Sequence, residues 1–158
     1  MAQTTGAIPK SNYKAEVSLD GSSWTDISGN STTVELDGGE QMTGEQHTAS
    51  GNVPVVVPSH KVSAITATIS VLYTETAGEA FKVVWDRYVS ANKTIYFRYS
   101  PKGGNSGDWR YVASNNAGSA VACPILTCLP PDMDAGTGDP AMAEFQIMAP
   151  KFEREAVP

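Results

Sequence analysis

The stretch DMDAGTGDPAMAEF, residues 132–145, gathers three aspartates and two glycines, the residue types of calcium and phosphate loops. Calcium coordination needs carboxylates or amides at alternate positions and a glycine at the turn. Asp132 and Asp134 begin that pattern, but Gly136 stands where the third ligand belongs and Thr137 where the glycine belongs, and Glu144 falls one residue late. Gly136, Gly138 and Ala141 satisfy the letters of a dinucleotide fingerprint, yet PPDMDA precedes them in place of the buried strand that a βαβ unit requires. The stretch therefore reads as a bend. His47 and His60 have no zinc spacing with Cys123 and Cys128, and the chain has no nucleophile elbow, phosphate loop or HExxH helix. A non-enzymatic chain with no metal or cofactor is the expectation.

The 158 residues suit a single domain. With 41% hydrophobic and 18% charged residues, 14 Gly and 10 Pro, the composition is that of a turn-rich globular chain of many short strands. The N-terminal MAQTTGAIPK lacks a basic segment followed by an apolar one, and no apolar run would span a bilayer, so a soluble chain with no membrane partner is expected. The net charge of −6 is uneven, since residues 1–60 hold seven acidic and two basic side chains. Gripping nucleic acid needs clustered Lys and Arg, so this chain is suited to repelling it. Cys123 and Cys128 lie an odd number of positions apart in an extended segment, which puts them on opposite faces of a strand as reduced thiols.

Residues 13–19, YKAEVSL, alternate as a half-buried strand, and WTDI returns from the DGSS turn as its partner. Residues 37–60 combine a Gly- and Thr-rich polar run with VPVVVPSH, whose prolines confine it to an edge; together they read as a long arm or hairpin. KVSAITATISVLYT, residues 61–74, puts Ile65, Ile69, Val71 and Tyr73 on one face and Thr66, Thr68 and Ser70 on the other. The period then becomes helical over about 77–91, with Phe81, Val84, Trp85, Tyr88 and Val89 as the core face, Thr76 and Glu79 as a capping box and Asn92 as the C-terminal residue. TIYFRYS and DWRYVAS flank a Gly-rich connection, and SAVACPILTCLPP is a strand interrupted by Pro124. AMAEFQIMA carries two signals: Asp139 and Pro140 argue helix, while alternation of Ala143, Phe145 and Ile147 argues strand. The fold class is mainly β, an antiparallel sandwich or barrel with one flanking helix and a long arm.

YKAEVSLDGSSWTDISG near the start, YSPKGGNSGDWRY in the middle and PPDMDAGTGDPAMAEFQIMAPKF near the end resemble, in that order, the major tail tube protein of long-tailed bacteriophages and prophages. The resemblance implies one tail-tube domain over 1–158, with an N-terminal arm at 1–11, an inter-subunit loop or hairpin at 37–60 and a C-terminal tail at 150–158. It implies six copies closing into a ring, rings stacking into a tube, and double-stranded DNA passing through without specific binding. Tape-measure and terminator or tip proteins are the implied partners, and the virion tail, assembled in the bacterial host cytoplasm, is the implied location. A lumen lined with carboxylates and small hydroxyls suits such transit by repelling phosphates, and Glu16, Glu40, Glu45 and Glu144 are the candidate lumen carboxylates, with Asp37, Met42, His47, Val55 and Val57 as inter-ring or subunit contacts. The tube of a contractile secretion apparatus would share this architecture. The alternative is an immunoglobulin-like or carbohydrate-binding sandwich that stacks ligands on Trp24, Trp109 and Tyr111.

Overall fold

The computed structural model describes residues 3–158. Residues 1–2 of the expected N-terminal arm lie outside the described residues, and 3–11 form neither helix nor strand. Strands β1 (Lys14–Ser18) and β2 (Trp24–Asp26) make the first hairpin. Its turn is held by Asp20, whose Oδ1 accepts the amides of Ser22 and Ser23, both at 2.8 Å.

The other strands are β3 (Ser31–Gly38), β4 (Gln41–Gln46), β5 (Val55–Val62), β6 (Ile65–Leu72), β7 (Thr94–Ser100), β8 (Trp109–Ser114), β9 (Cys123–Leu129), β10 (Met142–Ala149) and β11 (Lys151–Ala156), with helix α1 (Ala80–Val89) between β6 and β7. All pairings are antiparallel. One layer, sheet A, runs β2-β1-β7-β8-β11 and the other, sheet B, runs β3-β6-β10-β9. They meet at a corner where Thr94 and Ile95 of β7 pair with Pro124 and Cys123 of β9. Val17, Phe97 and Ala113 of sheet A share one core with Ile69, Phe145 and Ile147 of sheet B.

β10 resolves the double signal of residues 141–149. Ala143, Phe145, Ile147 and Ala149 are buried, and the strand is paired on both sides, by β6 and by β9. Asp139 does not cap a helix; its carboxylate accepts from the Thr137 hydroxyl at 2.8 Å. Two flanking ladders outweigh a local cap worth about 1 kcal/mol.

Four expectations are corrected. The helix is shorter than 77–91, and Val89 is 59% exposed, leaving Ala80, Phe81 and Val84 as its buried face with Trp85 and Tyr88 half-buried. The capping box does not form, because the Glu79 carboxylate is held by Thr74 and by Asn30 Nδ2, while Ser90 in extended conformation ends the helix in place of Asn92. Cys123 and Cys128 both face the core: the β9–β10 register shifts at Leu126, and this bulge reverses the alternation between them. Both are free thiols that burial pushes up to about 11. The expected C-terminal tail is strand β11 instead, since Pro150 turns the chain from sheet B to sheet A and Phe152 packs on the core.

Candidate assembly interface

Residues facing each other across an antiparallel pair share a face. On the outer face of sheet B this gives a row of Thr33, Ser70, Glu144 and Leu129, and a second of Glu35, Thr68, Gln146 and Thr127. Asp37 pairs with Thr66, and Thr66 with Met148, in a third. The face thus carries three carboxylates among hydroxyls, an amide and thioether or aliphatic side chains, and no Lys, Arg or aromatic residue. None of Glu35, Asp37 and Glu144 makes an ion pair among the described residues.

Among the described residues, no strand pairs with the outer side of β3, and beyond the corner none pairs with the outer side of β9 at Leu126–Leu129. Four antiparallel strands leave edges that run in opposite directions, so a second copy laid edge to edge continues the antiparallel alternation.

Beyond β3 and β6 the chain runs on into a separate two-stranded ribbon, β4–β5. The pairs Gly44–Val57 and Gln46–Val55 put Val55 and Val57 on one face, and the alternation of β4 adds Met42. These three side chains are 54–59% exposed, and Gly44 offers nothing to cover Val57. An isolated two-stranded ribbon is marginal in water, so an apolar face of this kind is suited to a partner.

The sequence-derived candidates scatter over these surfaces. Glu144 lies on the outer face of sheet B. Glu40 sits at the base of the ribbon, Glu45 on the ribbon face opposite Met42, and His47 beyond the end of β4, all exposed. Asp37 belongs to the sheet B face, beside Thr66, and not to the arm.

Glu16 lies in sheet A, 8% exposed, with Arg98 Nε donating to its Oε2 at 2.7 Å and Lys14 at 3.0 Å from its Oε1. Burial raises its pKa, but the hydrogen bonds and charges of Arg98 and Lys14 outweigh that and hold it below the ordinary value. A carboxylate neutralised in this way projects little charge.

Glu35 was missed as a candidate, although the alternation of TTVELD, with Val34 inward, marks it as outward. The aromatic trio is split. Trp24 lies on the outer face of sheet A beneath Arg98, whereas Trp109 and Tyr111 have the opposite facing, against Arg154 and Tyr99.

No protein-family model matches the chain, and no curated protein matches it in sequence. Solved structures do match in shape. A chain of the sheath/tube terminator of the PVC extracellular contractile injection system aligns with TM-score 0.69 and 19% identity, covering 98% of this chain and 100% of its own. The fold is of the tail-tube type. A chain of the extended sheath-tube complex of the same system gives TM-score 0.65 at 17% identity over 97% of this chain and 94% of its own. The tail of an empty GTA particle, refined with C6 symmetry, gives 0.59 at 9% identity over 99% and 100%. At these identities the likeness is one of fold, and it spans the tail-tube fold from end to end.

Proposed function

We propose that the chain is a structural, non-enzymatic subunit of a phage-tail-like tube, in which six copies close into a ring and rings stack around a DNA-conducting lumen. The observation that carries this reading is sheet B, a four-stranded sheet whose two edges pair with no further strand among the described residues and whose outer face bears carboxylates and hydroxyls that make no ion pair there. Joining the edges around a rotation axis removes them and turns that face toward the lumen. Phosphates passing such a wall meet like charge and no stacking platform, so DNA moves without sticking. The apolar side of the ribbon, Met42, Val55 and Val57, meets the neighbouring ring. Tape-measure and terminator or tip proteins complete the tail.

A second reading is favoured by the contractile injection systems among the structural neighbours: the same tube enclosed by a sheath. The two share the ring and differ in what surrounds it. Negative-stain microscopy of the purified chain at rising concentration tests both, with rings or tubes about 10 nm wide, a few domain diameters, expected. A strict monomer at every concentration, binding glycans, would instead establish the sandwich binding module.

A further inference from the structure

We propose that Gly38, Gly39 and Ala64 form a fixed joint that aims the β4–β5 ribbon; that the ribbon is aimed at a second copy rests on the tube reading above. The ladder does not break where the main sheet becomes the ribbon. Gly38 pairs with Ile65, the Gly39 amide donates to the Ala64 carbonyl at 3.4 Å, the Ser63 amide donates to the Glu40 carbonyl at 3.0 Å, and Gln41 pairs with Val62. The Ser63 hydroxyl also accepts the Glu40 amide at 3.1 Å. Hydrogen bonds run unbroken from Gly38 to Gln41, and the β4–β5 register shifts only beyond that, between Gln41 and Thr43, so the junction itself is a bend of set direction and not a free hinge.

Glycine is what permits the bend. Gly38 has φ +97° and Gly39 φ +74°, backbone conformations that L side chains rarely adopt. A Cβ on Gly38 would lie 2.3 Å from the Ala64 carbonyl oxygen, the acceptor of the Gly39 bond, so a methyl group there displaces the ladder at the joint itself. On Gly39 it would meet only the Ile65 side chain, at 3.1 Å. Gly44, within the ribbon, has open space around it and no positive φ. The joint lies outside the outward face of sheet B, so altering it changes where the ribbon points and leaves the ring-forming edge at residues 31–37 in place.

The test compares the full chain with Gly38→Ala, Gly39→Ala and Gly44→Ala. By hydrogen exchange, Gly38→Ala should speed the Gly39 and Ser63 amides about tenfold or more, while the Phe145 and Ile147 amides keep the wild-type rate. By microscopy it should give rings that do not stack, and Gly44→Ala should give tubes. Wild-type exchange at the joint together with wild-type tubes in Gly38→Ala would overturn the proposal. If Gly38→Ala loses protection in β10 as well, Gly39→Ala decides: faster exchange confined to the joint supports the device, and an unchanged rate overturns it. Absence of rings from the wild-type chain would count against the tube reading, and the exchange experiment would still report on the joint.

Discussion

On the outer face of sheet A, Lys14 and Arg98 meet Glu16, Arg110 meets Glu155 and Lys151 meets Glu153, with the Trp24 ring 4.0 Å from the Arg98 guanidinium. On the outer face of sheet B, Glu35, Asp37 and Glu144 stand among Thr66, Thr68, Ser70 and Gln146 and make no ion pair among the described residues. Both faces are polar and belong to one sandwich with one core. The first has met its electrostatic needs within the chain. The second projects one sign of charge outward, and it is bounded by edges that no further strand pairs among the described residues. Charge that is paired locally serves the fold, and charge left single is available to whatever lies opposite.

That contrast can be broken at its base. Phe145 is fully buried behind the sheet B face, and Phe145→Ala should cost about 3–5 kcal/mol in chemical denaturation, lowering both faces together because they share the core. The next effect separates them. Glu16→Ala leaves the Arg98 guanidinium without its carboxylate and should cost about 2 kcal/mol, whereas Glu144→Ala should stay within about 0.5 kcal/mol.

The acid limb sharpens the same point. The Glu16 pKa is lower folded than its ordinary 4.5, so its contribution is present above that pH and is lost as pH falls through the folded value. Denaturation of Glu16→Gln should therefore vary less with pH below about 4.5 than that of wild type; identical slopes would show that the pair adds nothing. The smallest effect on stability, and the largest on behaviour toward DNA, belongs to combined Glu35→Lys, Asp37→Lys and Glu144→Lys. This variant should fold as wild type yet retard DNA in a salt-dependent gel shift, which the wild-type chain should not do.

Strands whose one face is apolar were legible from alternation alone, as with Ala143, Phe145 and Ile147 or Ile69 and Val71. Where a local signal competed with pairing, it lost: Asp139–Pro140 announces a helix, but β6 and β9 impose a strand. Parity failed at the cysteines because a bulge in β9 adds a residue that no spacing rule reveals. The ion pairing of Glu16 was hidden for a similar reason. Its alternation marked it as outward, but only the cross-strand register brings Arg98 beside it. Phe152 lies after Pro150, and its return to the core depends on the partner strand β8. The valines of VPVVVPSH were legible as an edge, and the face they share with Met42 needed the β4–β5 register.

In the proposed tube, sheet B joins edge to edge between copies with its carboxylate face inward. Cryo-electron microscopy of the assembled chain tests it most directly. The expected result is a six-fold ring in which β9 of each copy pairs antiparallel with β3 of the next, with Glu35 and Glu144 lining the lumen. A ring with sheet A facing the lumen, or with β3 and β9 left unpaired between copies, would contradict it.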